Sequence, residues 1–126
     1  MNNLVLVDTS VFIEYLRGEA DDSLAVLILN NKTLLSPIVK LELFAGVRKS
    51  ELKVVQKLCG ALRALDTFPD VIDCERLLTR AKGSGLFGGI PDLLILADVQ
   101  RTKSVLFSYD SNMNKLATKL GIPLYG

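Results

Sequence analysis

Four acidic side chains stand at the edges of apolar segments, where a carboxylate is costly unless a positive charge lies beside it. They are Asp8, Glu42, Asp92 and Asp110. Two carboxylates about 4 Å apart at an effective dielectric of about 20 repel each other by roughly 4 kcal/mol. A cluster of them must therefore take up protons or bind a cation. Mg²⁺ or Mn²⁺, hard ions that prefer oxygen ligands, are the natural occupants.

The positions of these residues predict that the fold brings them together. Asp8 directly follows an apolar run at 4–7, and Asp110 comes shortly after another at 105–107. Ligands of open α/β sheets bind at the carboxyl edge of the parallel strands, so both should lie at that edge. Glu42 lies among apolar residues in the middle of a predicted helix, and Asp92 lies in the first turn of another.

Each acidic residue also has a purely structural interpretation. Asp8, Asp92 and Asp110 are residues of the type that caps helices or turns. Glu42 would fit a narrow exposed stripe shared with neighbouring lysines. A functional site is favoured because all four occur at element edges that an α/β topology brings together.

The types of residue in the chain restrict which catalytic mechanisms are possible. The chain has no histidine, which excludes Ser-His-Asp and Cys-His machinery and a histidine base. Cys59 and Cys74 lack CxxC spacing, so they form neither a zinc site nor a redox motif, and we interpret them as reduced core residues. An acidic cluster holding one or two divalent ions can activate water, align it with a phosphodiester and neutralise the leaving oxygen. That is nuclease chemistry.

Length predicts one domain over residues 1–126, and the cysteine pattern together with the lack of a signal peptide predicts a cytoplasmic protein. The chain is 49% hydrophobic with a net charge of +1, which is uninformative about nucleic-acid partners. A basic run at 40–63 would give a local positive face beside the acidic site, or simply a solvated helix face. The apolar stretches are too short to span a membrane, and the N-terminus lacks a signal-peptide pattern.

Alternating strand and helix patterns predict an α/β fold, a three-layer α/β/α sandwich with a mainly parallel central sheet. Strands are expected at 4–7, 33–35, 64–66, 105–108 and 122–125. Helices are expected at 11–17, 24–29, 37–47, 51–62, 71–82, 92–101 and 112–120, with Ser36 and Pro37 as cap and first position of the third.

A glycine-rich stretch at 83–88 formally matches the dinucleotide-binding pattern G-x-G-x-x-G. That interpretation requires a strand immediately before the loop, whereas the preceding residues read as a helix. A flexible loop over 83–89, beside the helix that carries Asp92, explains the glycines better.

Four segments together resemble the PIN-domain nucleases, most closely the small VapC-type toxins of prokaryotic toxin–antitoxin pairs. The resemblance covers nearly the whole chain. Its parts are Val7-Asp8-Thr9-Ser10, Leu41-Glu42-Leu43 followed by Gly46, Ile90-Pro91-Asp92-Leu93-Leu94-Ile95 with Ala97, and Ser108-Tyr109-Asp110-Ser111-Asn112.

The resemblance implies a PIN-like magnesium-dependent endoribonuclease, usually a homodimer, that a small antitoxin protein inhibits. It makes Asp8, Glu42, Asp92 and Asp110 the catalytic quartet, and Asp8, Asp92 and Asp110 the metal ligands. Ser10 and Asn112 become supporting polar groups. The last segment departs from the family pattern, because Asn112-Met113 stands where an acid and an aromatic are common, and Ser108 where threonine is common.

Two other functions remain open from the sequence. One is a PIN-like fold that has lost catalysis and acts as a binding module. The other is a phosphate-receiving signalling domain, which would require a pair of acids near the first strand and a lysine after a late strand. This chain offers Asp8 alone and Ser108-Tyr109-Asp110 at those positions.

Overall fold

A parallel sheet forms the centre of the protein in the computed structural model, which describes residues 3–126. Its strands are β1 (Val5–Val7), β2 (Thr33–Leu35), β3 (Arg63–Ala64) and β4 (Val105–Phe107), in the order β3-β2-β1-β4. In register, Val5 lies opposite Thr33 on one side and Val105 on the other. β1 is buried along its whole length, as expected for a strand covered by helices on both faces.

The connecting helices complete the predicted three-layer α/β/α arrangement. They are α1 (Thr9–Leu16), α2 (Ser23–Leu29), α3 (Pro37–Gly46), α4 (Leu52–Gly60), α5 (Val71–Ser84), α6 (Ile90–Thr102) and α7 (Ser111–Lys119), with a 3₁₀ helix at Lys49–Glu51 before α4. After β3 the chain reverses its direction across the sheet to reach β4. Because parallel crossovers are right-handed, this reversal places the last crossover on the opposite face. The carboxyl ends of β1 and β4 meet beside the reversal, the usual position of a ligand site.

Local sequence signals explain where the helices begin and end. Ser36 caps α3 as predicted, since its Oγ accepts a 3.1 Å hydrogen bond from the backbone N–H of Ile38 and Pro37 follows. Asp70 caps α5 in the same way. At the other end of α5, Gly85 has φ +75°, a left-handed conformation that glycine adopts without strain.

Many predicted boundaries shift by one or two residues in the structure, and the differences at α4, at the end of α5 and at the final strand change the description of the fold. The helix expected over 51–62 is divided into the 3₁₀ helix and α4, and α5 extends through Ser84, so the glycine loop shortens to 85–89. The predicted final strand is reduced to one parallel bridge between Leu106 and Leu124. Pro123 has no N–H to donate to a ladder, which limits pairing at this edge. The glycine loop follows a helix, so the condition for dinucleotide binding is not met.

Packing of α6 against the start of α3 includes a fully buried charge. Asp98 Oδ2 accepts a 2.6 Å hydrogen bond from Ser36 Oγ, and Asp98 Oδ1 pairs with Arg101 Nε at 2.7 Å. These two partners satisfy the hydrogen-bonding capacity of the buried carboxylate and offset the cost of its burial. Asp98 therefore connects the helix that carries Asp92 to the helix that carries Glu42.

Two further expectations concern the cysteines and the apolar segments. Both cysteines are free thiols; Cys59 is buried and Cys74 is half-buried. Across residues 3–126, none of the helices combines the length and apolar character needed to cross a membrane.

Candidate active site

Asp8 lies at the carboxyl end of β1 and is almost completely buried. It occupies the position before α1, yet its side chain accepts no capping hydrogen bond from that helix. Asp8 Oδ2 instead accepts hydrogen bonds from Ser108 Oγ at 2.6 Å and from Ser10 Oγ at 3.0 Å. The capping interpretation therefore does not account for Asp8.

The same two serines hold the β4–α7 loop against Asp8. The backbone N–H of Tyr109 donates to Ser10 Oγ, and the backbone N–H of Asp110 donates to Ser108 Oγ, both at 3.0 Å. Each serine thus accepts from the loop and donates to Asp8. This network sets the end of β4 in register with the end of β1.

Asp110 is exposed and caps α7. Its Oδ1 accepts hydrogen bonds from the backbone N–H groups of Asn112 and Met113 at 2.9 and 3.3 Å. The capping role considered from the sequence is therefore real, and it orients the carboxylate at the helix N-terminus. Asn112 takes part in this contact through its backbone, and its side chain is exposed.

Glu42 faces α1 from the middle of α3 and is half-buried. Its Oε1 accepts a 2.7 Å hydrogen bond from Thr9 Oγ1. Thr9 immediately follows Asp8, so this contact brings the Glu42 carboxylate beside the end of β1. The alternative of an exposed stripe shared with lysines does not describe this environment.

Asp92 is half-buried in the first turn of α6, and no hydrogen-bond donor or cation within residues 3–126 pairs with its carboxylate. Burial raises the pKa of Asp92 above its usual value, and the negative charges of Asp8, Asp110 and Glu42 raise that pKa further. The four acids thus share one electrostatic environment. The glycine loop comes close, since a Cβ at Gly88 would lie 3.7 Å from Asp92 Oδ2.

The donor chemistry of this acidic site fits a hard divalent cation. Its four members are carboxylates, and the ion pairs of the described residues involve none of them. A positive charge would relieve the repulsion that raises the pKa of Asp92. Within residues 3–126, however, no three acidic, cysteine or histidine side chains converge at the spacing of a metal site. Binding would require the side chains to move closer together.

Two residues with polar contacts to the acids were not identified from the sequence as site residues. Thr9 donates to Glu42, and Ser108 donates to Asp8. Thr9 directly follows the candidate acid Asp8. Ser108 directly follows β4 and lies two residues before the candidate acid Asp110. A search for hydroxyl residues at strand ends would have found them.

The parallel α/β sheet with acids at its carboxyl edge defines a class of folds that contains metal-dependent nucleases. The PIN domain family matches residues 5–119, and the chain belongs to this family, whose nucleases are hydrolases acting on nucleic acids. No curated protein sequence matches the chain.

Solved structures with the same fold extend over nearly the whole chain. VapBC from Salmonella typhimurium bound to DNA is 20% identical, with a TM-score of 0.81 over 98% of this chain and 97% of that one. FitAcB from Neisseria gonorrhoeae is also 20% identical over the same shares, with a TM-score of 0.72. VapBC2 from Rickettsia felis, bound to a DNA fragment from its promoter, is 18% identical over 97% of each chain, with a TM-score of 0.76. At these identities the likeness establishes the fold.

Proposed function

We propose that this protein is an endoribonuclease dependent on Mg²⁺ or Mn²⁺ that hydrolyses RNA phosphodiester bonds. The observation that carries the proposal is the half-buried Asp92, whose pKa is raised by burial and by three neighbouring carboxylates. Carboxyl groups whose pKa is shifted by burial and by neighbouring charges are enriched at catalytic sites. Acids that repel one another without a protein cation are suited to binding a metal ion.

The proposed roles follow from the contacts of each residue. Asp8, Asp92 and Asp110 would hold the cation, and Glu42 would contribute to the catalytic quartet from the facing helix. A bound divalent ion would supply water activation and charge neutralisation at the phosphodiester. Ser10 and Ser108 satisfy Asp8 Oδ2, which fixes the direction of the other oxygen. Asn112 supports the site through the N-terminus of α7.

The reaction is a hydrolysis in which a water oxygen bonds to phosphorus and one phosphorus–oxygen ester bond breaks. The products are a phosphate monoester and a hydroxyl group, and the water proton must leave the attacking oxygen. Glu42, held by Thr9 at the edge of the site, is suited to accept or orient that proton.

RNA is the proposed substrate, and exposed cations provide a surface to hold it. These cations are Lys40, Arg48, Lys49, Lys53, Lys57 and Arg63. Phosphate contacts of this kind give binding that weakens steeply with added salt. By likeness of fold to the VapBC structures, we propose that the protein is the toxin of a toxin–antitoxin pair and that a small antitoxin protein binds it.

Exposed apolar side chains support association with a second chain. Val26 and Leu29 on α2 are 51% and 85% exposed, and Val54 on α4 is 58% exposed. A second group, missed from the sequence, lies around the start of α5, where Phe68, Val71 and Ile72 are also exposed. Large exposed apolar groups mark interaction surfaces. We propose a two-fold homodimer, the commonest symmetric assembly, of single PIN-like domains acting in the cytoplasm.

Cleavage of defined RNAs tests the proposal. Purified protein free of any antitoxin should cut single-stranded or structured RNA with Mg²⁺ or Mn²⁺ and lose this activity in EDTA. The variants Asp8→Asn and Asp92→Asn should be inactive but folded. Asp66→Asn, which removes an exposed carboxylate elsewhere, is the matched control and should cut normally.

Two results would contradict the proposal. One is a broad RNA panel that stays intact at every metal concentration, and the other is cleavage that persists in EDTA. Full activity of Asp8→Asn or Asp92→Asn would remove that residue from the site. A strictly monomeric mass by light scattering would remove the homodimer while leaving the nuclease proposal in place.

A further inference from the structure

A cavity of about 380 Å³ opens beside Glu42, between α1 and the C-terminal part of α3. Its apolar wall includes Ile13, Leu16 and Val47, and its charged lining consists of Arg17, Arg48, Glu42 and Glu51. We call it the α1–α3 cavity. Its volume lies in the range of sites that bind small organic groups. It is therefore large enough to receive part of a substrate that continues to the acidic site.

The two arginines of the α1–α3 cavity are available to bind an anion. Arg17, at the C-terminal end of α1, is exposed and forms none of the ion pairs within residues 3–126. Arg48 pairs with Glu51 at 3.8 Å, but its side chain is 90% exposed, and such surface pairs contribute little to stability. Guanidinium groups bind phosphate through paired N–H donors.

We propose that the α1–α3 cavity is the substrate subsite for the nucleotide adjacent to the scissile bond. Arg17 and Arg48 bind the phosphate of that nucleotide, and the wall at Ile13, Leu16 and Val47 packs against its sugar and base. The inference rests on the proposed ribonuclease function and adds the residues that position the RNA. Glu42 lines the cavity and also belongs to the acidic site, so a polyanion leaving the cavity past Glu42 arrives at the carboxylates.

An RNA occupant explains the combination of groups better than an acidic peptide does. Bases and sugars offer flat or apolar surface between charged phosphates, which matches an apolar wall beside two guanidinium groups. An acidic peptide offers carboxylates to the arginines but no flat apolar base to pack against the wall at Ile13, Leu16 and Val47.

Binding measurements that do not depend on cleavage test the arginines. In the Asp92→Asn background without metal, fluorescence anisotropy measures the Kd of a labelled single-stranded RNA at several KCl concentrations. Arg17→Gln and Arg48→Gln should each raise Kd about 3- to 10-fold and lower the slope of log K against log[salt] by about 0.7. Arg76→Gln is the matched control, because Arg76 also forms an exposed i,i+3 pair, with Asp73 at 4.0 Å.

A steric variant tests the cavity without changing charge. Gly46 is the last residue of α3 and lines the cavity, and a Cβ built there meets no atom within 4 Å. Gly46→Leu should project into the cavity and raise the RNA Kd, with the salt slope unchanged. Gly83→Leu, at an equally open helical glycine of α5, should leave Kd unchanged. Circular dichroism of all variants confirms that the fold is retained.

The outcomes separate this inference from the proposed function. If wild-type protein cuts RNA while Arg17→Gln, Arg48→Gln and Gly46→Leu bind RNA like their controls, the subsite is wrong and the nuclease stands. If these variants keep RNA binding but lose binding of labelled poly-L-glutamate, an acidic peptide is the occupant and the proposal is overturned. If the wild-type protein neither binds nor cuts RNA, both proposals fail.

Discussion

Ser108 Oγ donates a 2.6 Å hydrogen bond to Asp8 Oδ2 and joins the carboxyl ends of two neighbouring strands that are 100 residues apart in sequence. The same Oγ accepts from the backbone N–H of Asp110. One hydroxyl therefore positions both an acid on β1 and the loop that carries the acid after β4.

Removal of this hydroxyl should weaken both the fold and the site. Ser108→Ala leaves the N–H of Asp110 without its acceptor and takes one donor from a buried carboxylate, so the free energy of unfolding should fall by about 1–3 kcal/mol. RNA cleavage should fall as well. Ser108→Thr keeps the hydroxyl and should restore both, whereas Ser111→Ala on exposed surface should change neither. Urea denaturation and cleavage rates measure the effects, and wild-type behaviour of Ser108→Ala would contradict the positioning role.

The ionised carboxylate of Asp92 should lower the free energy of unfolding at neutral pH in metal-free buffer. Its pKa in the folded state is raised above the ordinary value of 3.8 by burial and by Asp8, Asp110 and Glu42, so the charged form is disfavoured by folding. Asp92→Asn should therefore be the more stable protein at pH 7. The difference should shrink as pH falls through the raised pKa and vanish below the ordinary value, where the carboxyl is protonated in both states. Urea denaturation from pH 7 to pH 3.5 checks this, and a difference that grows on acidification would contradict it.

Divalent metal should stabilise the folded protein through the acidic site. A ligand at 100 times its Kd that binds only the folded state adds about 2.7 kcal/mol. Mg²⁺ or Mn²⁺ should raise Tm in wild type, and the rise should be lost in Asp8→Asn and Asp92→Asn. KCl at matched ionic strength is the control for screening. An equal rise with KCl would show that no specific cation site is present.

Substitution of Glu42 should lower RNA cleavage without lowering the thermal stability of the protein. Glu42→Gln keeps an oxygen that can accept the hydrogen bond from Thr9 Oγ1 and removes one of the charges that raise the pKa of Asp92. Its Tm in metal-free buffer should equal or exceed that of wild type, while cleavage falls. Thr9→Val, which removes the donor but retains the carboxylate, should lower cleavage less. Unchanged cleavage in Glu42→Gln would exclude Glu42 from the site.

Removing the Asp98 carboxylate should destabilise the protein, whereas removing the Asp92 carboxylate should stabilise it, although both residues lie on α6. Asp98 is fully buried and is satisfied by Ser36 and Arg101. Asp98→Ala leaves the buried Ser36 hydroxyl without its acceptor and leaves Arg101, which keeps Thr67, without its carboxylate, so it should cost about 1–3 kcal/mol in the free energy of unfolding. Calorimetry of the two variants makes the comparison, with Asp92→Asn as the internal control. A loss below about 1 kcal/mol would show that the buried pair contributes little.

Much of the fold follows from the sequence because its signals are local. The β2 strand was predicted residue for residue, and Ser36 was identified as the cap of α3 from the serine–proline pair alone. Alternation of strands and helices predicted the parallel three-layer sheet. The final strand was overestimated because one residue, Pro123, interrupts the ladder there.

Residue types and their order along the chain determined by themselves which acids are candidates for a site and which catalytic machinery is excluded. Only the tertiary structure decided how two acids on one helix differ: Asp98 is paired with Arg101 and Ser36, whereas Asp92 faces the charges of Asp8, Glu42 and Asp110. It also decided that Ser108 contacts Asp8 and that Arg17 and Arg48 share a cavity with Glu42. These contacts join segments distant in sequence. Their geometry depends on how the elements pack around the core, which no local pattern encodes.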